Sequence, residues 1–272
     1  MNTGPAALPS NLAAALAARP ELGAAAVRYF PELASTNDTA AALAAAGAAD
    51  GTVVLAERQT AGRGRRGRAW DSPAAAGLYL SVVLRGRQSP VITLLAGVAV
   101  AEAVQATAGA AVDLKWPNDV VAPPPAGGGS ACPGPKVAGI LTEVVPAGGE
   151  RDDAAVIGIG VNVRTRAFPV ELAGRAAALE SLARRRVDGF ALCADLLVRL
   201  ARWRRRQAAE GDAFVVARWR ALAPSSRGAA VSWDAGGTCR RGVTAGVDDG
   251  GALLVSCGGR TERIVGGEVR WG

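Results

Sequence analysis

Five short stretches hold residues that could do chemistry. The first, AGRGRRGRAW at 61–70, sets Arg63, Arg65, Arg66 and Arg68 among Gly62, Gly64 and Gly67 and closes on Trp70. Like charges this close repel, so an anion is expected to gather them. Guanidinium forks match carboxylate and phosphate oxygens. The glycines allow close backbone approach and positive φ, and Trp70 can stack on or seal an apolar ligand. There is no G-x-x-x-x-G-K-[ST] phosphate loop. Taken alone, the loop fits a small phosphorylated ligand and nucleic acid, with bases stacked on arginine planes, equally well.

The second stretch, KWPND at 115–119, exits a strand at Trp-Pro and presents Asn118 and Asp119 at once. Asp119 could order Mg²⁺ or a ribose, and Asn118 could bond a ligand; a polar turn with an Asx cap uses the same residues. The third, KVAGILTE at 136–143, opens on Lys136, which at a pocket edge would stabilise charge on a carboxylate, phosphate or oxyanion. The fourth, GIGVNV at 158–163, offers Gly158 and Gly160 for close approach and leaves Asn162 as a polar residue in an apolar strand, in need of a partner. The fifth, STN at 35–37, is an N-cap before a helix whose polar groups could also line a slot.

Rarity sharpens these choices. Of 31 basic residues only Lys115 and Lys136 are lysines, and past the N-terminal tail asparagine occurs only at Asn37, Asn118 and Asn162. A lysine that persists in so arginine-rich a chain marks a place where arginine will not serve. With no histidine and no C-x-x-C pair among Cys132, Cys193, Cys239 and Cys257, a zinc site and imidazole-based acid–base chemistry are excluded. Free, mostly buried thiols are expected. A net charge of +7 fits an anionic partner without choosing one.

These stretches need a frame. Residues 35–47, 91–108, 189–209 and 211–222 read as helices, and 51–59, 77–85, 112–116, 136–145 and 154–163 as strands, so that two strands bracket the arginine loop. RWRRR at 202–206 reads as a solvated basic face with Trp203 packed inward. Beyond Pro224, short strands separated by Gly and Asp turns predict a small β barrel. The chain divides into an N-terminal tail (1–27), a main domain (28–223) and the barrel (225–272). The Pro/Gly-rich segment 122–135 reads as a disordered loop or hairpin tip. No apolar run reaches membrane-spanning length and no signal peptide is evident, so the expectation is a cytoplasmic protein without a membrane.

In this order, STN, ERQTAGRGRRGRAW, KWPNDV, KVAGILTE and GIGVNV resemble the biotin protein ligases, over about residues 30–165, and the tail from 225 is similar to that family's small C-terminal domain. The resemblance implies an α+β fold: a mixed sheet with helices on one side, like that of class II aminoacyl-tRNA synthetases, plus an SH3-like β barrel. It implies two steps: biotin and ATP, with Mg²⁺, give biotinyl-5′-AMP and pyrophosphate, and the acyl group then passes to a lysine of a biotin carboxyl carrier domain of an acyl-CoA carboxylase.

Carried over by position, Ser35, Thr36, Asn37 and Gln59 would meet biotin. Arg63, Gly64 and Arg65 would wrap its carboxylate and the adenylate phosphate, beside Lys136. Arg66, Arg68 and Trp70 would fold over the adenylate, and Asn118, Asp119 and Asn162 would lie on the ATP side. Catalysis would rest on Lys136, Arg63 and Arg65. The metal ligands stay unassigned. The segment 122–135 is longer than the family pattern. The first 27 residues are too short and weakly patterned for a DNA-binding helix-turn-helix, which implies a ligase without a repressor role. Two other readings remain: a nucleic-acid-binding protein, in which the loop and RWRRR contact phosphates, and a lipoate or octanoyl transferase-like enzyme on a related fold.

Overall fold

The computed structural model describes residues 4–22, 26–124, 133–146, 153–166 and 168–272. Most of segment 122–135, with Cys132, and part of the N-terminal tail therefore lie outside the described residues. Within the tail, Ser10–Ala17 forms α1, whose Leu12 is fully buried in the main core.

The larger sheet has seven strands: β1 (Val27–Leu33), β2 (Val53–Gln59), β3 (Gly77–Arg85), β4 (Asp113–Lys115), β5 (Asp119–Val121), β6 (Lys136–Val145) and β7 (Ala154–Asn162). Their order is β1-β2-β3-β7-β6-β5-β4, with β1 and β2 parallel and the remaining neighbours antiparallel. Strand periodicity of two sorts the side chains. Leu78, Leu80, Val82 and Leu84 of β3 and Ile157, Ile159 and Val161 of β7 join a core with α3 (Ile92–Ala108) and α5 (Gly189–Glu210). Val83 of β3 and Ala154 and Val156 of β7 face the other way, onto Ala40 and Ala44 of α2 (Thr36–Ala45). Helices thus cover both faces, which corrects the expectation of helices on one side: the stretch read as a capped helix has its own small apolar stripe and needs a face to bury it.

The short α4 (Leu179–Ala183) precedes α5, and α6 (Asp212–Ala221) follows it. Trp203 of α5 is buried and donates its indole N–H to Glu102 Oε2 at 3.0 Å. Of the three described cysteines only Cys193 is buried, which corrects the expectation of mostly buried thiols; burial pushes its thiol up to about 12.

After α6 come β8 (Arg227–Ala235), β9 (Thr238–Val247), β10 (Leu253–Cys257), β11 (Arg260–Ile264) and β12 (Val269–Trp271). They form a second, antiparallel sheet in the order β11-β10-β9-β8-β12. Its apolar side chains Val231, Trp233, Val247, Leu253, Val255 and Ile264 belong to the same continuous core as α3 and β3. Polar ties reinforce the seam: Trp116 Nε1 donates to Gly251 O at 2.9 Å, and Arg220 Nε to Val247 O at 2.8 Å. The small sheet is therefore fixed beside β4 and β5, and its last turn reaches the arginine loop. No helix among the described residues is long and apolar enough to cross a membrane.

Candidate active site

Strand register lines up the site. Ser81 of β3 pairs with Gly158 of β7, which pairs with Leu141 of β6; the next rung runs Tyr79, Gly160, Gly139, Asp119 and Lys115. Gly158 and Gly160 point to the α2 face of the sheet, where a side chain would fill the site. A Cβ on Gly158 would overlap the Asn37 amide, one on Gly160 the Trp70 indole, and one on Gly139 would lie within 3.0 Å of the Lys136 and Trp70 side chains. The glycines hold open a slot between the sheet and α2.

Ser35 caps α2. Thr36 and Asn37, almost fully buried, enter the slot from its first turn. Gln59, at the end of β2, accepts the Thr36 N–H on Oε1 at 2.8 Å. The Thr36 hydroxyl lies 3.0 Å from the same oxygen. Ser81, with no exposed surface, donates to Asn37 Oδ1 at 2.6 Å and lies 2.8 Å from Thr36 Oγ1. Asn37 Nδ2 donates to Glu143 Oε2 at 2.7 Å. The slot wall is thus neutral, polar and fully organised.

The arginine loop is a small hairpin. Gly64 N–H donates to Arg68 O at 2.7 Å and Trp70 N–H to Gly62 O at 2.8 Å, and between them Arg66 and Gly67 take positive φ to reverse the chain. Each of its arginines has a protein partner. Arg63 makes a bidentate pair with Glu143, at 2.8 and 2.6 Å, and meets Asp38 Oδ1 at 2.7 Å. The Glu143 hydrogen bond, ahead of the other influences, raises its pKa. Arg66 and Arg68 both pair with Glu268, in the turn between β11 and β12. Arg65 has neutral hydrogen-bond partners: Asn118 Oδ1 at 3.0 Å and Gly267 O at 3.2 Å. Burial, opposed by Asp119 and aided by Arg66 and Arg68, holds Arg65 below the usual arginine value. The anions expected to gather the arginines are, for three of the four, carboxylates of the protein itself.

Lys136 sits at the junction. Its Nζ lies 2.6 Å from Asp119 Oδ1 and 5.1 Å from the centre of the Trp70 ring. The Trp70 indole N–H is buried without a partner. Asn118 is pinned by its bond from Arg65 and donates Nδ2 to Ile140 O at 2.8 Å. Asn162 finds its partner in Lys136 O, at 3.3 Å. The polar turn read as one use of the KWPND residues is present at 116–118, where it joins β4 to β5, and β5 opens on Asp119, held facing Lys136.

Two cavities meet at Gly64, Arg65, Trp70, Asn118 and Lys136. The inner slot is lined by Ser35, Thr36, Asn37, Gln59, Arg63 and the β6–β7 glycines. The outer cleft is lined by Arg66, Arg68, Asp119, Asn162 and Lys115, with Gly267 and Glu268 from the C-terminal sheet. Every site residue carried over by position lines one cavity or the other. Sequence reasoning missed Ser81, Glu143, Gly139 and Glu268. Ser81 carried the same signal as Asn162, a polar residue inside an apolar strand; Glu143 was quoted within its motif without a role; Glu268, far along the chain, carried no local signal. Among the described residues no group of three or more Cys, Asp or Glu could hold a metal ion.

The family model described as Biotin/lipoate A/B protein ligase family matches residues 29–162. The Bifunctional ligase/repressor BirA of Bacillus subtilis (strain 168) is 33% identical over 250 residues, which cover 90% of this chain and 73% of that protein. The Biotin--[acetyl-CoA-carboxylase] ligase of Mycobacterium tuberculosis is 38% identical over 248 residues, covering 86% of this chain and 85% of that protein. The solved structure of the biotin protein ligase from Aquifex aeolicus in complex with biotin and ATP matches with a TM-score of 0.77 at 25% identity, covering 91% of this chain and 98% of that one. Motif order, strand register and these similarities over most of the chain agree that it belongs to the biotin protein ligases, within the biotin/lipoate A/B protein ligase family.

Proposed function

We propose that this chain is an ATP-dependent biotin ligase. The observation that carries the reading is the junction of a neutral hydrogen-bonding slot with a cationic cleft, with Lys136 and Arg65 where the two meet. A cyclic urea has a carbonyl acceptor and N–H donors that suit Thr36, Asn37, Gln59 and Ser81 in the slot. The carboxylate of the same ligand then reaches the junction. ATP, arriving with its Mg²⁺, takes the cleft.

In the first step a carboxylate oxygen attacks the α-phosphorus of ATP and pyrophosphate leaves, giving the mixed anhydride. Two anions must approach each other. Lys136 and Arg65 offset that repulsion, most strongly as charge builds on the phosphoryl oxygens. Trp70, packed over Gly160 and beside Lys136, shields the anhydride from water. In the second step the amine of a carrier lysine attacks the acyl carbon, AMP leaves and the amine gives up a proton. Asp119 is the carboxylate nearest Lys136, and its ion pair makes it a holder of that lysine first.

The same reading extends to a biotin carboxyl carrier domain of an acyl-CoA carboxylase as the partner and, since the reaction draws on ATP, to the cytoplasm as its place. It takes residues 28–223 as the catalytic domain, class II synthetase-like, and 225–272 as an SH3-like barrel that closes the cleft through Glu268. The slot's polarity favours biotin over lipoate. A dithiolane ring would set no donor or acceptor against the polar wall of Thr36, Asn37, Gln59 and Ser81, and a site built to hydrogen-bond its ligand commonly rejects such an analogue by orders of magnitude. Nucleic-acid binding through the loop is disfavoured because Arg63, Arg66 and Arg68 are turned onto protein carboxylates.

Biotin-dependent exchange of labelled pyrophosphate into ATP tests the proposal. Exchange is expected to require biotin and to fall about 100-fold or more in Arg65→Ala and Lys136→Ala, as for loss of a preorganised charge stabiliser. Folded protein that shows no exchange with biotin, ATP and Mg²⁺ would overturn it.

A further inference from the structure

The two ends of the arginine loop are joined through the floor of the slot. At the loop's entrance Arg63 holds both oxygens of Glu143. Glu143 accepts from Asn37 Nδ2, and Asn37 Oδ1 accepts from Ser81. Ser81 meets Thr36 Oγ1, and the Thr36 N–H donates to Gln59 Oε1. Gln59 Nε2 donates to Ser72 Oγ at 2.8 Å, and Ser72 donates to the carbonyl of Trp70, at the loop's exit, at 3.0 Å. The chain of bonds therefore runs from Arg63 back to Trp70 by way of α2, β3, β6 and the end of β2.

Its polarity is anchored at Glu143, with the Leu141 carbonyl, 3.4 Å from Asn37 Nδ2, as a second and longer acceptor. A carboxylate only accepts. Glu143 therefore fixes the Asn37 amide with its nitrogen outward and its oxygen toward Ser81, which obliges Ser81 to donate. The acceptors and donors that face a ligand in the slot follow from that charge. Arg63, meanwhile, is neutralised by Glu143 and Asp38, so its side chain acts as a tie and its charge is not presented to an anion.

We propose that Glu143 is a positioning residue with two effects: it sets the hydrogen-bond polarity of the slot and it ties the arginine loop to it. The inference rests on the ligase reading above for the identity of the ligand. It goes beyond that reading in assigning loop closure and ligand polarity to one carboxylate that touches neither ATP nor the reacting carboxyl.

The test compares Glu143→Gln and Asp38→Asn in the full chain. Asp38 is exposed and Glu143 part-buried, and melting temperature checks the fold. The Gln amide has one acceptor oxygen and no charge, so both the bidentate pair with Arg63 and the charge-assisted bond from Asn37 are lost. Glu143→Gln is expected to raise the KM for biotin in pyrophosphate exchange about tenfold, as for loss of a charge-assisted bond, while kcat changes far less. It should also speed tryptic cleavage within residues 62–70 of the ligand-free protein and the escape of biotinyl-adenylate, trapped with hydroxylamine. Asp38 touches Arg63 without touching Asn37, so Asp38→Asn should raise cleavage modestly and leave the KM for biotin unchanged. Wild-type values for Glu143→Gln in both assays, or an equal rise in KM for Asp38→Asn, would overturn the proposal. If Glu143→Gln lowers the melting temperature enough to obscure the comparison, Arg63→Gln breaks the same tie from the loop side and is read by the same cleavage. Absence of exchange in the wild type would sink the ligase reading, and the cleavage assay, which needs no ligand, would still decide the tie.

Discussion

The inner slot and the outer cleft share a wall but are built on opposite principles. The slot is neutral, buried and saturated with bonds: Thr36, Asn37, Ser81 and Gln59 hold one another before any ligand arrives. The cleft is charged and more open, and its cations are parked on protein carboxylates, Lys136 on Asp119 and Arg66 and Arg68 on Glu268. A neutral ligand end is recognised by rigid geometry, because each unmatched buried dipole is costly. An anion is recognised by charges that can exchange one carboxylate for another as it enters. Arg65 belongs to the second kind but has neutral partners, so it is the loop arginine whose charge is least compensated.

The contrast can be broken at the slot first. Gly158→Ala would drive a methyl group into the Asn37 amide. Biotin binding, measured by calorimetry, should weaken beyond about 100-fold, since overpacking costs ~1–3 kcal/mol before the lost hydrogen bonds are counted. ATP binding to the cleft should change little. Equal losses for both ligands would mean that the two cavities are not separable.

The cleft is tested by comparing its arginines. Arg65→Ala should lower exchange by about 100-fold, whereas Arg68→Ala, already compensated by Glu268, should cost about tenfold or less. Reversed ranks would show that compensated charges are the working ones. On the slot side again, Ser81→Ala leaves Asn37 Oδ1 and Thr36 Oγ1 short of a partner, and the KM for biotin should rise about tenfold. An unchanged KM would place Ser81 outside the recognition network.

The smallest effect is on pH. Arg68, hydrogen-bonded to Glu268, holds that carboxyl below the usual range. A depressed folded-state value means that the contact contributes fully above the ordinary glutamate pKa of about 4.3 and is lost as pH falls through the lower, folded value. Tryptic susceptibility of the loop in the pre-equilibrated protein should therefore stay flat from neutral pH to about pH 5 and rise only below that range. Glu268→Gln should remove this dependence. Because the contact is exposed, added salt should weaken it as well.

What could be read from the sequence was local. The helix capped at Ser35, the strands on either side of the loop and the two late helices follow from periodicity and punctuation. The rarity of lysine and asparagine pointed to Lys136, Asn37, Asn118 and Asn162 before any fold was known. The partners of those residues could not be read, because pairing depends on strand order. Ser81 meets Gly158 only because β3 and β7 are neighbours, though 77 positions separate the two residues. The turn that Pro117 and Asn118 signal is present at 116–118, but that it makes a hairpin of β4 and β5 and sets Asp119 opposite Gly139 of β6 could not be read from it.

The sequence by itself determined the chemical inventory: four arginines on glycine hinges, two lysines, an N-cap and no histidine, hence charge stabilisation without imidazole catalysis. Only the tertiary structure decided how that inventory is used. It turned three of the four loop arginines onto Glu143, Asp38 and Glu268, left Arg65 over the cleft, and brought the last turn of the chain across to the loop. The physical reason is distance. Residue type and spacing fix what a group can do, whereas a charge-assisted bond of less than 3 Å between groups up to two hundred residues apart exists only once a sheet has set its register and a shared core has fixed its neighbours.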